Sequence, residues 1–252
     1  MNTKLKGRTA LVTGGGTGIG RGIAIGMARE GASIVVNYRR SENEARATVQ
    51  QIEEIGGKAV AIKADVTRWD DVTALFKSAR SHFGQVDILV NNAGGTIKKQ
   101  ELCDMSEDIW DQTLALNLKS VFLCCKAAIP QFPDGSGRII NIASISGYSG
   151  GGQRGVAYGT AKGAVITMTR GLAHELASRR ITVNGIAPGI VATRQHEQFT
   201  SPQDYQSLIK RIPLGRDGKS DDLVGVAILL ASDAGSYITG ETIQVNGGML
   251  MN

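Results

Sequence analysis

Short apolar segments alternate with amphipathic segments along this chain. Residues 9–13 are apolar and β-branched, which is typical of a buried strand, and residues 21–30 carry apolar side chains at helical spacing. The alternation continues to the last apolar segment, residues 242–245. Strands that alternate with helices in this way form a parallel sheet with helices on both faces. The pattern therefore predicts an α/β fold whose doubly wound parallel sheet has about seven strands.

The predicted elements follow one another with a single interruption. The predicted strands are 9–13, 33–37, 59–63, 86–90, 138–143, 181–186 and 242–245, and the predicted helices are 21–30, 42–55, 70–83, 106–129, 158–176 and 221–231. The interruption at 191–213 is polar and tolerates a helix. We predict a mobile substrate lid there, within a single domain that covers residues 1–252.

Composition narrows the class of protein. The net charge is +5, but the basic residues are scattered and aromatic residues make up only 5%, which argues against a nucleic-acid partner. No apolar run approaches about 20 residues and the N-terminus lacks a signal-peptide core, so we expect no membrane association. Cys103, Cys124 and Cys125 have neither disulfide nor metal spacing, which predicts reduced thiols, a cytoplasmic location and no metal site.

A glycine-rich turn, Gly14-Gly-Gly-Thr-Gly-Ile-Gly20, joins the first predicted strand to the first predicted helix. Strand, glycine turn and helix are the setting of a phosphate-binding loop. Glycine lets the backbone approach a pyrophosphate, whose charge then faces free N–H groups at the helix N-terminus. The turn predicts a Rossmann-type dinucleotide site, and the alternative is an ordinary glycine turn.

The second predicted strand indicates which dinucleotide binds. In such folds an acidic residue at the end of this strand, about 20 residues beyond the glycines, binds the ribose hydroxyls of NAD. Here the strand is followed by Tyr38, Arg39 and Arg40. A carboxylate would repel a 2′-phosphate, whereas arginine binds it with paired hydrogen bonds. We predict that NADP(H) is preferred and NAD(H) is possible; the alternative is a solvated basic loop.

Tyr158 and Lys162 are candidates for catalysis. They stand at positions i and i+4 of a predicted helix, so their side chains share one face. A free tyrosine, with a pKa of about 10, is a poor proton donor at neutral pH, but a nearby ammonium favours the phenolate and lowers that pKa. The pair predicts a general acid or base. The alternative is a half-exposed tyrosine and a solvated lysine on an ordinary helix.

Small and polar residues follow the other predicted strands. They are Asp65 and Val66 after the third, Asn91, Asn92, Ala93 and Gly94 after the fourth, Ser144 after the fifth, and Pro188, Gly189 and Thr193 after the sixth. The carboxyl ends of parallel strands meet at one edge of a sheet, where ligands bind. We therefore expect these residues to converge, with Tyr158 and Lys162, on one crevice.

Taken in order, these motifs resemble the short-chain dehydrogenase/reductase family over essentially the full chain. The matching elements are Thr13-Gly-x-x-x-Gly18-x-Gly20, Asn91-Asn-Ala-Gly94, Asn117, Ser144, Tyr158-x-x-x-Lys162 and Pro188-Gly189. The resemblance implies an NAD(P)-dependent enzyme that interconverts a carbonyl and a secondary alcohol by hydride transfer. It also implies a homotetramer and a small-molecule substrate.

The resemblance implies a role for each matching residue. Tyr158 would donate a proton for carbonyl reduction or accept one for alcohol oxidation, Ser144 would hydrogen-bond the substrate oxygen, and Lys162 would hold the nicotinamide ribose and lower the Tyr158 pKa. Asn117 would anchor a water that relays the proton. Gly14, Thr17, Gly18, Ile19 and Gly20 would cradle the pyrophosphate, Asp65 and Val66 would flank the adenine, Asn92 would lie near the adenosine ribose, and Thr193 would contact the carboxamide. The remaining predicted cofactor contacts are Tyr38, Arg39, Ala93, Gly94, Tyr158, Lys162, Pro188, Gly189 and Val191.

The C-terminal third, especially residues 230–234 and 237–249, resembles bacterial 3-oxoacyl-(acyl-carrier-protein) reductases and implies a 3-oxoacyl thioester as the substrate. The loop 132–137 has no basic residue where those reductases offer one to an acidic carrier protein, which leaves Arg179 and Arg180 as a docking pair. The loops 95–100 and 148–155 are each a residue longer than in those enzymes.

Lys98 and Lys99 beside the crevice favour an alternative substrate, a small ketone that carries a carboxylate or phosphate. The alternative function is therefore a sugar, polyol or keto-uronate dehydrogenase or reductase. A dinucleotide-binding sensor without catalysis is a second alternative, and the intact set of Ser144, Tyr158 and Lys162 argues against it.

Overall fold

One parallel sheet is the framework of the fold. A computed structural model describes residues 4–192 and 201–251, and in it seven strands lie in the order β3-β2-β1-β4-β5-β6-β7. The strands are β1 (Thr9–Val12), β2 (Ser33–Tyr38), β3 (Lys58–Lys63), β4 (Ile88–Asn91), β5 (Arg138–Ile142), β6 (Thr182–Pro188) and β7 (Thr242–Val245). Each neighbouring pair is parallel. The predicted doubly wound fold is confirmed, and the strand order reverses between β1 and β4, where such folds bind ligands.

Helices cover both faces of the sheet. They are α1 (Gly18–Arg29), α2 (Glu42–Glu54), α3 (Trp69–Phe83), α4 (Glu107–Leu114), α5 (Ser120–Ala128), α6 (Ser146–Ser149), α7 (Val156–Leu176), α8 (Pro202–Ile209) and α9 (Asp221–Ala231). The predicted elements fall within a few residues of these bounds. The short α6 was not predicted, and α8 lies within the predicted lid, of which residues 193–200 lie outside the described residues.

The predicted helix 106–129 contains an irregularity at its centre. It begins after Ser106, whose hydroxyl accepts the Ile109 N–H at 3.3 Å, but a π-helical turn, Ala115–Lys119, separates α4 from α5. The Asn117 side-chain amide donates to the Thr113 carbonyl at 3.0 Å, so a side chain satisfies an acceptor that regular α-helical bonding gives to a backbone N–H. Apolar spacing alone did not predict this turn.

The apolar side chains form one core on each face of the sheet. Alternate residues of the central strands point to opposite faces: Leu11 and Val35 join the core beneath α3, α5 and α7, whereas Val12 and Ile34 join the core beneath α1, α2 and α9. Parallel strands covered on both faces are therefore apolar throughout, as the sequence showed.

The helical segment Glu107–Gln131 is long and apolar enough to cross a membrane by length and composition alone. In the fold, Val121, Cys124 and Cys125 from this segment pack inside the first core. The core helix of a soluble protein has the same composition, so the segment is weak support for a membrane span. Burial also raises the pKa of the Cys125 thiol to about 12, which keeps it protonated.

Candidate active site

A cleft of about 1870 Å³ opens at the carboxyl ends of the strands. The glycine turn lines one end, the loops that follow β4, β5 and β6 line its middle, and α8 lines the other end. The predicted residues that line it are Gly14, Thr17, Gly18, Ile19, Asn92, Ala93, Gly94, Ser144, Tyr158, Lys162, Pro188, Gly189 and Val191. The tertiary structure thus brings most of the predicted set to one crevice, while Thr193 lies outside the described residues.

The glycine turn leaves room for a ligand at the start of α1. Gly14 and Gly18 have φ angles of +61° and +50°, which glycine adopts without strain. A side chain at Gly20 would collide with the Asn92 amide and lie 2.5 Å from the Gly14 carbonyl oxygen. Thr17 makes no side-chain capping bond to α1, so the first N–H groups of this helix are available to an anion. The turn fits a pyrophosphate.

Asn92 supports this turn from below. Its side-chain amide donates to the Thr13 carbonyl at 2.9 Å and to the Gly14 carbonyl at 3.2 Å. The Thr13 hydroxyl accepts the N–H groups of Asn92 and Ala93 at 2.9 and 3.0 Å. The loop after β4 and the glycine turn are therefore held together as one unit, and the Asn92 amide is engaged by the protein itself.

Four predicted cofactor contacts, Tyr38, Arg39, Asp65 and Val66, lie beside the cleft, at the ends of β2 and β3. The Arg39 guanidinium contacts the Asp65 carboxylate at 3.3 Å, and the Thr67 hydroxyl donates to the same carboxylate at 2.6 Å. Burial raises the pKa of Asp65, but the bonds from Thr67 and the charge of Arg39 outweigh it and hold the pKa below its usual value. Tyr38 and Val66 are both buried, with exposed fractions of 8% and 5%.

Ser144, Tyr158 and Lys162 meet in the middle of the cleft. Tyr158 and Lys162 lie on the first turns of α7, and Ser144 follows β5. Ser144 is buried, its hydroxyl accepts the Ser146 N–H at 3.1 Å, and Tyr158 is half-buried. The Lys162 ammonium donates to the Ile142 carbonyl at 2.7 Å and lies 5.8 Å from the centre of the Tyr158 ring.

Burial dominates the electrostatics of this set. It raises the pKa of Tyr158 above its ordinary value, although the neighbouring Ser144 side chain acts in the opposite direction. Burial also lowers the pKa of Lys162 to about 8. The Lys162 ammonium is directed to the Ile142 carbonyl, and it is costly to keep charged because it is buried.

Asn117 fixes the loop that lies over this set. Its side-chain oxygen accepts the Gly95 N–H at 2.8 Å, and its amide donates to the Gly95 carbonyl at 2.9 Å. A side chain at Gly94 would lie 2.8 Å from the Asn117 oxygen and 3.2 Å from the Lys162 ammonium, so only glycine fits there. Asn117 is completely buried, and the contacts of its side chain are with the protein itself.

The far end of the cleft is rich in basic side chains. Lys98, Lys99, Arg154 and Arg211 line it, together with the acidic Asp204. Sequence reasoning did not predict Arg154 or Arg211 as site residues, because polar residues in loops and in a short helix carry no signal of where they point. Within residues 4–192 and 201–251, no group of three or more His, Cys, Asp or Glu side chains is placed to hold a metal ion.

The structure corrects the expected docking pair. The Arg179 guanidinium contacts Asp134 at 2.7 Å and donates to the carbonyls of Ile129 and Phe132 at 2.9 and 2.8 Å. Arg179 therefore holds the loop 132–137 in place and is not free to bind an acidic partner. Arg180 alone remains of the predicted pair.

Comparison with known proteins gives matches along nearly the full chain. The family described as Enoyl-(Acyl carrier protein) reductase matches residues 14–250. The chain is 44% identical over 246 residues to the 3-oxoacyl-(acyl-carrier-protein) reductase of Staphylococcus epidermidis, covering 97% of this chain and 99% of the relative. It is 42% identical over 255 residues to the 2-dehydro-3-deoxy-D-gluconate 5-dehydrogenase of Dickeya dadantii, covering 99% and 98%.

Solved structures agree with this relationship. The chain superposes on a short-chain type dehydrogenase/reductase from Mycobacterium marinum with a TM-score of 0.93 and 36% identity, covering all of this chain and 98% of the other. It also superposes on a dehydrogenase/reductase from Sinorhizobium meliloti with a TM-score of 0.94 and 33% identity, covering 99% and 98%.

Proposed function

Because the chain belongs to the short-chain dehydrogenase/reductase family and is an oxidoreductase, we propose that it interconverts a carbonyl and a secondary alcohol with NADP(H), using Ser144, Tyr158 and Lys162. The observation that carries this proposal is the convergence of these three side chains in one cleft with the glycine turn. A phenol and a hydroxyl that line the same cleft can both be directed to one substrate oxygen.

The residues of the chain do the proton chemistry and the positioning. A nicotinamide dinucleotide, when bound, supplies or accepts the hydride. In carbonyl reduction, Tyr158 releases its phenolic proton to the substrate oxygen as the C–O double bond becomes single, and Ser144 donates a hydrogen bond to that oxygen. Lys162 holds positive charge near the phenolate that remains. Alcohol oxidation runs through the same steps in reverse, with the phenolate accepting the proton.

The preference for NADP(H) is supported by the end of β2. Arg39 is exposed there and no carboxylate occupies position 38. Arg39 already contacts the Asp65 carboxylate at 3.3 Å. Asp65 would therefore compete with a 2′-phosphate for the Arg39 guanidinium. NADP(H) binding therefore requires the contact between Arg39 and Asp65 to open or to be shared, and NAD(H) remains the second cofactor.

A 3-oxoacyl thioester is one candidate substrate. It is supported by the reductase relative that is 44% identical along nearly the full chain. The engagement of Arg179 with Asp134 weakens this candidate, because it removes one of the two cations expected to receive an acidic carrier protein.

A small anionic ketone, such as a sugar acid or keto-uronate, is the second candidate. It is supported by Lys98, Lys99 and Arg211, three cations that line the end of the cleft beyond Tyr158. A relative that is 42% identical is named for dehydrogenation of a keto-sugar acid. Cations at the mouth of a cleft attract an anionic substrate and hold its carboxylate.

We also propose that the protein is a homotetramer located in the cytoplasm.

Tyr158→Phe tests the reaction class. Removing the phenolic oxygen should lower turnover by at least about 100-fold, the low end for general acid–base catalysis, while NADPH binding measured by fluorescence persists. Tyr237→Phe is the matched control, because Tyr237 is completely exposed. The substrates are acetoacetyl thioesters, α-keto acids, keto-sugars and keto-uronates, assayed with NADPH and with NADH. Unchanged turnover in Tyr158→Phe would remove this residue from the mechanism, whereas a wild type that binds NADPH and turns over none of these substrates would favour the non-catalytic sensor.

A further inference from the structure

Two loops form the wall at the substrate end of the cleft. The first, residues 95–101, follows β4, and the second, residues 150–155, lies between α6 and α7. Ile97 and Lys98 of the first loop line the cleft, and so do Gln153 and Arg154 of the second. The two loops come from neighbouring strands of the sheet and enclose the space beyond Tyr158.

Arg154 joins the two loops by both its backbone and its side chain. Its carbonyl accepts the Gln100 N–H at 3.3 Å, and its guanidinium contacts the Glu101 carboxylate at 3.4 Å. Gln100 and Glu101 are adjacent in the first loop, so both contacts join Arg154 to the same point of that loop. The pairing connects positions that are 53 residues apart in the chain.

The backbone of Arg154 is in a conformation that favours glycine. Its φ angle is +58°, and the neighbouring Gly150, Gly151 and Gly152 also have positive φ angles. A residue with a side chain is strained in this region, whereas glycine would be accommodated without cost. Arg180 also has a positive φ angle, but it lies at the end of a helical turn, where that conformation is common. Arg154 is the third residue of the turn that the Gly155 N–H closes on the Gly152 carbonyl at 3.2 Å, a position that glycine usually takes, and its side chain is the part that glycine would lack.

We propose that Arg154 is a specificity-determining residue, which pairs with Glu101 so that the two loops act as one wall and limit how far a substrate can extend beyond Tyr158. This inference rests on the proposed function. A closed wall admits compact ketones, and separation of the loops opens a path for a long acyl chain. The ion pair is exposed to solvent and is therefore weak. Its loss should change the selectivity between substrates by about two- to fivefold.

A charge-swap cycle tests the pairing. Glu101→Arg and Arg154→Glu each place like charges opposite one another, and the double variant restores an opposite pair. The readout is the ratio of kcat/KM for the neutral 3-oxodecanoyl thioester of N-acetylcysteamine to that for its 3-oxobutanoyl homologue. Both substrates lack charge, so the changed charges do not act on them directly. Each single variant should raise the ratio about two- to fivefold, and the double variant should return it to the wild-type value.

The control is the exposed pair of Glu42 and Arg46 on α2, whose swap should leave the ratio unchanged. A ratio unchanged in both single variants would overturn the proposal, and so would a double variant that differs from wild type as much as the single variants do. If the wild type reduces no ketone, the proposed function fails separately. Hydrogen exchange of residues 96–101 and 150–155 then decides the pairing: faster exchange in the single variants and recovery in the double variant support it, and unchanged exchange refutes it.

Discussion

Gly159 of α7 is where a single methyl group should have a large and measurable effect. It is buried against the loop 150–155, and a Cβ atom there would collide with the Gly150 carbonyl carbon and lie 2.5 Å from the Gly150 oxygen and 2.7 Å from the Gly151 nitrogen. Ordinary contact begins at 3.4 Å, so Gly159→Ala must displace backbone by about 1 Å. No flexible side chain is present at that contact to absorb the change.

The magnitude follows from two opposing effects. Overpacking of this kind costs about 1–3 kcal/mol, whereas exchanging glycine for alanine inside a helix contributes about 1 kcal/mol of stability. Gly159→Ala should therefore lower the free energy of unfolding by up to about 2 kcal/mol. Gly171 lies on the same helix with nothing within 4 Å of its Cβ position, so Gly171→Ala should raise it by about 0.5–1 kcal/mol.

The assay compares the two variants by calorimetry and by steady-state kinetics. For a chain of this length about 1 kcal/mol corresponds to roughly 2–4 °C in Tm, so the melting temperatures should differ by at least about 1 °C, with Gly171→Ala the higher. The displaced loop also lines the cleft, so kcat/KM should fall about 10- to 100-fold in Gly159→Ala only. Equal increases in Tm for both variants would refute the reasoning, because they would show that the loop does not press on the helix.

Three further predictions concern the pH dependence of activity, the pH dependence of stability and the choice of cofactor. Because the pKa of Lys162 is lowered to about 8, kcat/KM for carbonyl reduction should fall as pH rises through about 8, and a pH profile that stays flat to pH 9.5 would contradict the role of this ammonium. The contribution of Lys162 to stability should move oppositely, since between about pH 8 and pH 10 the unfolded lysine binds a proton that the folded one has lost, so the Tm of the wild type should rise across that range relative to the Tm of Lys162→Met. If Arg39 holds the 2′-phosphate, Arg39→Asp should raise the Kd of NADPH at least about tenfold and that of NADH much less, with Arg40→Asp as the control, whereas equal weakening of both cofactors would show that the loop is only a solvated surface.

The chain's local chemistry was readable without the structure. The alternation of apolar segments determined the sheet and its two helical layers, because a buried parallel strand and an amphipathic helix each have a characteristic period. The glycine turn between β1 and α1 was also evident, because its glycines are close together in the sequence and stand between a predicted strand and a predicted helix. The shared helix face of Tyr158 and Lys162 also follows from local geometry alone.

Contacts between distant parts of the chain were decided only by the tertiary structure. The convergence of Ser144 and Tyr158 on one cleft, the direction of the Lys162 ammonium and the pairing of Arg154 with Glu101 all depend on how loops pack against helices. Arg179 shows the same limit, because only packing reveals that its charge is used within the protein. Local spacing determines which side chains share a face, whereas burial and long-range packing determine their partners, their pKa values and the substrate that the cleft admits.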